Sequence, residues 1–131
     1  MSKQKLADGL PSRRSGCPIA AALDLVGDKW SLLLIRDIGL FNKHRNKDFQ
    51  SASEAIPSNI LADRLKRMTA YGLLEKRRYQ DRPPRYEYHL TRQGRELLPV
   101  LRELASWSEK NLAGVKIPRA ANPHTADRDL S

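Results

Sequence analysis

The sequence has little of several residue types and patterns that mark particular classes of protein. Cys17 is the one cysteine among 131 residues, so no disulfide forms within the chain, and His44, His89 and His124 are too scattered to complete a zinc site with it. No apolar run reaches the length of a signal-peptide core or a membrane span. A phosphate-binding glycine loop, an HExxH motif and a nucleophile beside a base are also missing. We therefore expect a cytoplasmic protein that has no cofactor or metal, does not enter a membrane and is not an enzyme.

Positive charge is what the sequence has in excess. The 24 lysines and arginines against 15 aspartates and glutamates give a formal net charge of +9 and a pI near 10.1. Residues 59–95 contain ten of the cations and four of the anions, a net +6 in one short region. Such a concentration indicates a polyanion partner, with nucleic acid first among them. A soluble protein that is merely basic is the alternative.

The chain has the length and composition of one folded domain with polar ends. Breakers and polar residues predict a flexible arm over residues 1–16 and a flexible tail over residues 113–131. The folded domain therefore spans residues 17–112.

Apolar residues at helical spacing predict several helices around the basic region. These cover residues 18–26, 29–38, 49–55 and 95–112. Asp28, Asp48 and Thr91 are placed to cap the last three of them, and Pro99 lies early enough in the last helix to kink it at most. The helix over 29–38 is apolar around much of its girth, which favours a central, buried position.

Residues 56–88 contain the strongest helix, which begins after Pro57 and ends at Gly72. Leu61, Leu65 and Met68 form its inward stripe. The residues left for DNA contact are Ser58, Asn59, Ala62, Asp63, Arg64, Lys66 and Arg67. The major groove admits one α-helix, and residues near the helix N-terminus meet base edges there. An ordinary amphipathic helix with a solvated face is the alternative.

A basic hairpin follows this helix. Strands are predicted over residues 73–79 and 86–90, with a six-residue connection, QDRPPR, between them. Arg82 and Arg85 lie at its tip and Arg77 on its basic face, where arginines can enter a minor groove. A helix followed by a cationic hairpin predicts an α+β winged helix-turn-helix fold, with a three-helix core, a two-stranded wing and flanking N- and C-terminal helices.

Cys17 precedes Pro18 at the start of the first predicted helix. The helix dipole and the free N–H groups there favour a thiolate, and Arg13 and Arg14 lie nearby. Cys17 is therefore a candidate sensor thiol for oxidants or electrophiles. A small buried apolar residue is an equal alternative.

Six separated motifs resemble the HxlR-type family of winged helix-turn-helix transcriptional regulators, within the MarR-like superfamily. They are CP at 17–18, GDKW at 27–30, IPSNILADRL at 56–65, YGL at 71–73, PPRYEY at 83–88 and LTRQG at 90–94. The match covers residues 17–112. One departure is RNKDF at 45–49, which lacks the glycine of the family's usual Gly-x-x-Arg-Phe.

The resemblance implies a homodimer on a pseudo-palindromic operator in double-stranded DNA. It places the recognition helix at residues 57–71, the wing tip at 82–85, and a sensing thiol of some members at Cys17. It also puts the first and last helices at the dimer interface, which here nominates Ile19, Leu23, Leu101, Leu104, Trp107 and Leu112. We expect a sequence-specific transcriptional regulator, responsive to a small molecule or oxidant if Cys17 senses one. The alternative is a winged-helix protein-interaction module without specific DNA binding.

Overall fold

A computed structural model describes residues 10–117, within which helices surround one two-stranded hairpin. The order is α1 (Pro18–Val26), α2 (Ser31–Gly39), α3 (Asn46–Gln50), α4 (Ser58–Ala70), β1 (Leu74–Asp81), β2 (Pro84–Leu90), α5 (Arg92–Arg95) and α6 (Leu98–Asn111). This is the predicted winged helix-turn-helix. Most of the predicted flexible arm and tail, at residues 1–9 and 118–131, lies outside the described residues. In the part of the chain that is described, no helix is both long and apolar enough to cross a bilayer.

The hydrophobic core joins α2 and α4. Leu61, Leu65 and Met68 of α4 are fully buried, as the apolar spacing predicts, and they share one cluster with Leu34 and Ile35 of α2. Burial of each such side chain stabilises the fold by roughly 1.5–3 kcal/mol. α2 is therefore the central helix, and the opposite face of α4 is left to solvent.

A glycine ends α4 as predicted. Gly72 has a φ of 85°, a conformation that side chains with a Cβ rarely adopt. Its N–H donates to the carbonyl of Thr69 at 3.1 Å, and the N–H of Leu73 donates to the carbonyl of Met68 at 2.9 Å. The chain thereby reverses, and the buried residues Leu73 and Leu74 lead into the wing.

The wing is longer than the sequence predicts, and its connection is two residues rather than six. β1 and β2 remain paired as far as Asp81 and Pro84, so only Arg82 and Pro83 form the tip. The register shifts between Arg78 and Gln80, where a bulge absorbs one residue and lets pairing continue. Pro84 is tolerated because the first position of a strand does not need its N–H.

The third helix is Asn46–Gln50 rather than residues 49–55. Asp48 acts from within its first turn, where its carboxylate accepts a hydrogen bond from the N–H of Arg45 at 3.3 Å. The turns after α3 are held by Arg36, which forms two hydrogen bonds to Glu54, at 2.8 and 2.9 Å. Arg36 also donates a hydrogen bond to the carboxylate of Asp37. Burial raises the pKa of Asp37, although the hydrogen bond from Arg36 acts in the opposite direction.

The last predicted helix is two helices, α5 and α6, so Pro99 accompanies a break rather than a kink. Thr91 caps α5, since its hydroxyl accepts from the N–H of Gly94 at 3.1 Å. Pro99 then lies in the first turn of α6, where a missing N–H has no cost. Leu97, between the two helices, and Leu98, the first residue of α6, both pack against the core.

Candidate nucleic-acid interface

The solvent face of α4 carries the residues that the sequence nominates for base contact. Ser58, Asn59 and Ala62 are exposed in its first turns, and Lys66 is exposed one turn further on. Pro57 precedes the helix in extended conformation, which leaves the first N–H groups of α4 without side-chain caps. Within residues 10–117 no carboxylate pairs with Lys66. This face can therefore present hydrogen-bonding groups and one free cation to a ligand.

Both arginines of α4 form ion pairs with carboxylates of the same chain. Arg64 pairs with Asp63 and, through its Nε, with Asp28 at 2.9 Å. Arg67 pairs with Asp63 at 3.0 Å and keeps 57% of its side chain exposed. The hydrogen bond to Asp28 raises the pKa of Arg64 above its usual value. Sequence reasoning nominated Arg64 for DNA contact but missed its pairing with Asp28, which lies 36 residues earlier.

Asp28 joins the start of α2 to α4. Its carboxylate accepts from the N–H groups of Trp30 and Ser31 at 3.0 Å, from the Ser31 hydroxyl at 2.6 Å, and from Arg64. Burial raises the pKa of Asp28, but the hydrogen bonds from Ser31, Arg64 and Trp30 outweigh burial and leave the pKa below its usual value. α2 begins at Ser31 rather than at residue 29, and its N-cap is Trp30, so Asp28 is not the N-cap as predicted. Its carboxylate still accepts from backbone N–H groups at the start of α2 and, through Arg64, also ties that segment to α4.

The wing exposes Arg82 and Arg85 near its tip, as predicted. Neither guanidinium has an ion-pair partner in the described residues. Gln80 steadies the tip, since its amide donates to the carbonyls of Arg82 and Pro83 at 3.3 and 3.2 Å. Arg77 differs, because it lies along β1 and pairs with Glu75 at 3.0 Å.

Several cations beside the wing were missed by sequence reasoning. The guanidinium of Arg45 lies 3.8 Å from the ring centre of Tyr79, and the ammonium of Lys76 lies 4.2 Å from that of Tyr86. The register, in which Lys76 pairs with Tyr88 and Arg78 with Tyr86, places Lys76 on the same face as Tyr86. The position of Arg45 depends on tertiary structure. The carbonyl of the preceding residue, His44, accepts a hydrogen bond from the N–H of Tyr88 at 2.8 Å, which attaches the segment before α3 to β2.

Cys17 is exposed and occupies the N-cap position of α1. Its N–H donates to the Ser15 hydroxyl at 3.2 Å. Of the two arginines expected near the thiol, Arg14 is directed to Asp24, with the Nε and a carboxylate oxygen 2.5 Å apart. The alternative of a buried apolar role for Cys17 is therefore wrong for this chain.

Five of the six residues nominated for a dimer interface are exposed apolar side chains. Ile19 is 71% exposed and Trp107 59%, and Leu23, Leu104 and Leu112 are about half exposed. Leu101 differs, because it packs partly against the core. α6 has no fully buried residue. Large apolar side chains concentrated on two helices mark a surface that a partner can cover.

The core, the exposed face of α4 and the cationic hairpin together define a winged helix-turn-helix protein of the DNA-binding type. The chain belongs to the HxlR-like helix-turn-helix family, whose model matches residues 25–116. The uncharacterised helix-turn-helix transcriptional regulator YybR of Bacillus subtilis is 32% identical over 98 residues, which cover 75% of this chain and 78% of YybR.

Solved structures agree with this assignment. A protein of Porphyromonas gingivalis W83 assigned to the MarR family of transcriptional regulators superposes with a TM-score of 0.68 at 32% identity, covering 83% of this chain and all of that one. The redox regulator HypR in its oxidised form superposes with a TM-score of 0.63 at 31% identity, covering 72% of this chain and 97% of HypR.

Asp28→Asn should lower the free energy of unfolding by about 1 kcal/mol at pH 7, because it removes a charge-assisted bond to a partly exposed Arg64. The pKa of Asp28 is lower in the folded state than in the unfolded state. Its contribution is therefore present above about pH 4 and is lost as the pH falls through the folded pKa. Urea unfolding across pH 3–7 at one protein concentration measures this. The difference between Asp28→Asn and wild type should shrink in acid, whereas Glu75→Gln, in the exposed pair with Arg77, should change little at any pH. A difference that is constant with pH would contradict the assignment.

Proposed function

We propose that the chain is a cytoplasmic, homodimeric regulator that binds a pseudo-palindromic operator in double-stranded DNA. The observation that carries the proposal is the exposed polar face of α4 beside a wing whose Arg82 and Arg85 have no partner in the described residues. A transcriptional regulator needs both sequence reading and phosphate binding. In this proposal α4 supplies the sequence reading and the arginines of the wing supply a contact to the charged backbone.

α4 supplies the groups that read bases. Asn59 can form a bidentate pair with adenine, Ser58 can bond a base edge or a phosphate, and Ala62 can meet a thymine methyl group. Lys66 and Arg67, further along the helix, suit phosphates. Arg64 and Asp63 have another part in this proposal, since Arg64 positions α4 through Asp28 and Asp63 holds Arg67.

The wing supplies a second contact. A minor groove focuses negative potential, and Arg82 at the tip and Arg85 beside it in β2 can approach or enter it. Arg77 is paired with Glu75 and stands further back along β1. Its contribution is to the general positive potential of the wing.

A dimer is proposed because α1 and α6 leave large apolar side chains in solvent. Burial of Ile19, Leu23, Leu104, Trp107 and Leu112 against a second copy would remove that surface from water. A two-fold dimer then presents two α4 helices to two half-sites about one helical turn apart, which is why the operator is expected to be pseudo-palindromic.

DNA binding is tested by selection from a random duplex pool, followed by anisotropy titration across salt concentrations. Arg82→Ala/Arg85→Ala should weaken binding and reduce the slope of log K against log salt by about 0.9 for each phosphate that the variant no longer binds. Asn59→Ala should instead relax base preference. The matched control is Lys110→Ala/Lys116→Ala, which removes the same charge at exposed positions in and beyond α6. If wild type enriches no sequence and binds no duplex, the chain is a protein-interaction module instead.

Leu104→Glu should convert the dimer to a monomer, because it would place a carboxylate in an apolar interface. Sedimentation velocity at several concentrations gives the molar mass. Ala70→Glu is the control, since Ala70 is exposed at the end of α4 and lies outside α1 and α6. A Leu104→Glu protein that sediments like wild type would remove α6 from the interface.

A second candidate function is thiol-based regulation through Cys17. It is favoured by the exposure of Cys17 on α1 and by similarity to HypR, a redox regulator. Each chain has one cysteine, so a disulfide must join Cys17 to the partner's thiol or to a small thiol. Two thiols lose two electrons and two protons to an oxidant such as diamide, which is reduced to the hydrazine.

Diamide should change the operator affinity of wild type and leave Cys17→Ser unaffected. The reduced variant should bind like reduced wild type, because Cys17 lies on α1 rather than in the DNA-binding elements. Non-reducing mass spectrometry would identify the disulfide formed, and dithiothreitol should reverse it. Equal responses of wild type and Cys17→Ser would exclude Cys17 as a sensor.

A further inference from the structure

An open cleft of about 490 Å³ lies between α3 and the wing. Four cations line it: Arg45 and Lys47 from α3 and the residue before it, and Lys76 and Arg85 from the two strands. Tyrosine rings, among them Tyr79 and Tyr86, form part of its wall. No Asp or Glu is among the lining residues. The cleft includes no residue of α4 and reaches the wing tip through Pro84 and Arg85.

Two of the three tyrosine rings that line the cleft, those of Tyr79 and Tyr86, have cations over them. Arg45 covers Tyr79, and Lys76 and Arg78 both lie over Tyr86, at 4.2 and 5.5 Å from the ring centre. Arg78 also donates to the Tyr86 hydroxyl at 3.1 Å. Such cation–π contacts fix the charges in place without neutralising them. Bases could not stack on the ring faces that these cations cover, which disfavours a single-stranded ligand.

Few carboxylates offset the charge of the cleft. Glu87 lies 3.6 Å from Arg45 but also accepts from His89 at 2.9 Å, and that hydrogen bond lowers the pKa of Glu87 and keeps it ionised. Asp81 lies 3.7 Å from Arg78. Lys47, Lys76 and Arg85 have no ion-pair partner within the described residues. The cleft therefore retains uncompensated positive charge along its whole length from α3 to the wing.

We propose that this cleft binds the phosphodiester backbone of duplex DNA beside the segment that α4 reads. The inference rests on the proposed function and adds Arg45, Lys47 and Lys76 to the residues assigned to DNA. A backbone fits because its charges repeat along the strand, as the cations do from α3 to Arg85. Backbone contacts set the position of a protein on the duplex and carry no base information. The cleft therefore fixes the angle at which α4 enters the major groove.

The test is Lys47→Gln/Lys76→Gln in the full chain, with Lys110→Gln/Lys116→Gln as the charge-matched control. Both lysines of the cleft are exposed, so circular dichroism melting should match wild type. Anisotropy titrations use the selected operator and a scrambled duplex of equal length. We expect the log–log salt slope to fall by about 0.9 for each lysine and both duplexes to weaken by the same factor. If the double variant melts at a lower temperature than wild type, the single variants Lys47→Gln and Lys76→Gln are used instead, and each should lower the salt slope by about 0.9.

The outcomes separate this inference from the proposed function. If the wild-type protein binds no duplex DNA, both the proposed function and this inference are wrong. If the wild-type protein binds duplex DNA but the cleft variants bind with the same affinity and salt slope as the control variant, only this inference is wrong.

Ethylation interference supplies a second measurement, because an ethylated phosphate loses its charge. Phosphates whose ethylation weakens binding of wild type but not of the double variant would be those bound in the cleft. An identical set of interfering phosphates for the two proteins would contradict the proposal. Tighter binding of a poly-dT strand than of duplex would assign the cleft to single strands instead.

Discussion

The packing of α4 against α2 decides which residues of this protein can meet another molecule. Once Leu61, Leu65 and Met68 are committed to the core, helical geometry turns Ser58, Asn59 and Ala62 to solvent. A rotation of α4 by one residue would move Leu61 out of the core and cost several kcal/mol. The identity of the exposed face is therefore fixed by hydrophobic burial, and no polar contact has to specify it.

The ion pairs act on a finer scale. Asp28 is anchored by Ser31 and backbone N–H groups before it meets Arg64, so the carboxylate is already in position. Arg64 thus ties α4 to the segment between α1 and α2. Gly27 follows α1 directly, and Asp28 follows Gly27. Asp28 is thus two residues from the end of α1, so two residues of backbone and one ion pair connect the proposed dimer helix to the proposed reading helix.

Local periodicity explains why much of the fold is predictable from the sequence. The inward stripe of α4, its stop at Gly72 and the bounds of α1 depend on residues within a turn or two of one another. The length of the wing connection was wrong because the bulge near Tyr79 depends on cross-strand pairing. The break between α5 and α6 was missed because a proline in a first turn and a proline at a kink look alike in sequence. Asp28, which pairs with Arg64, and Tyr79, which lies under Arg45, come from distant segments, so no local pattern indicates these contacts.

The distribution of arginine and lysine follows from these constraints. An arginine held by a carboxylate keeps a fixed direction but loses much of its field, which suits Arg64 as a structural residue. Lys66, Lys47 and Lys76 have no carboxylate partner in the described residues, so their full charge acts on whatever approaches. Counting charges by position in the sequence yields +6 for residues 59–95, yet Asp28, which lies outside that range, offsets the charge of Arg64. These three lysines lie on α4, α3 and the wing, and the field that attracts a polyanion is therefore broader than the recognition helix alone.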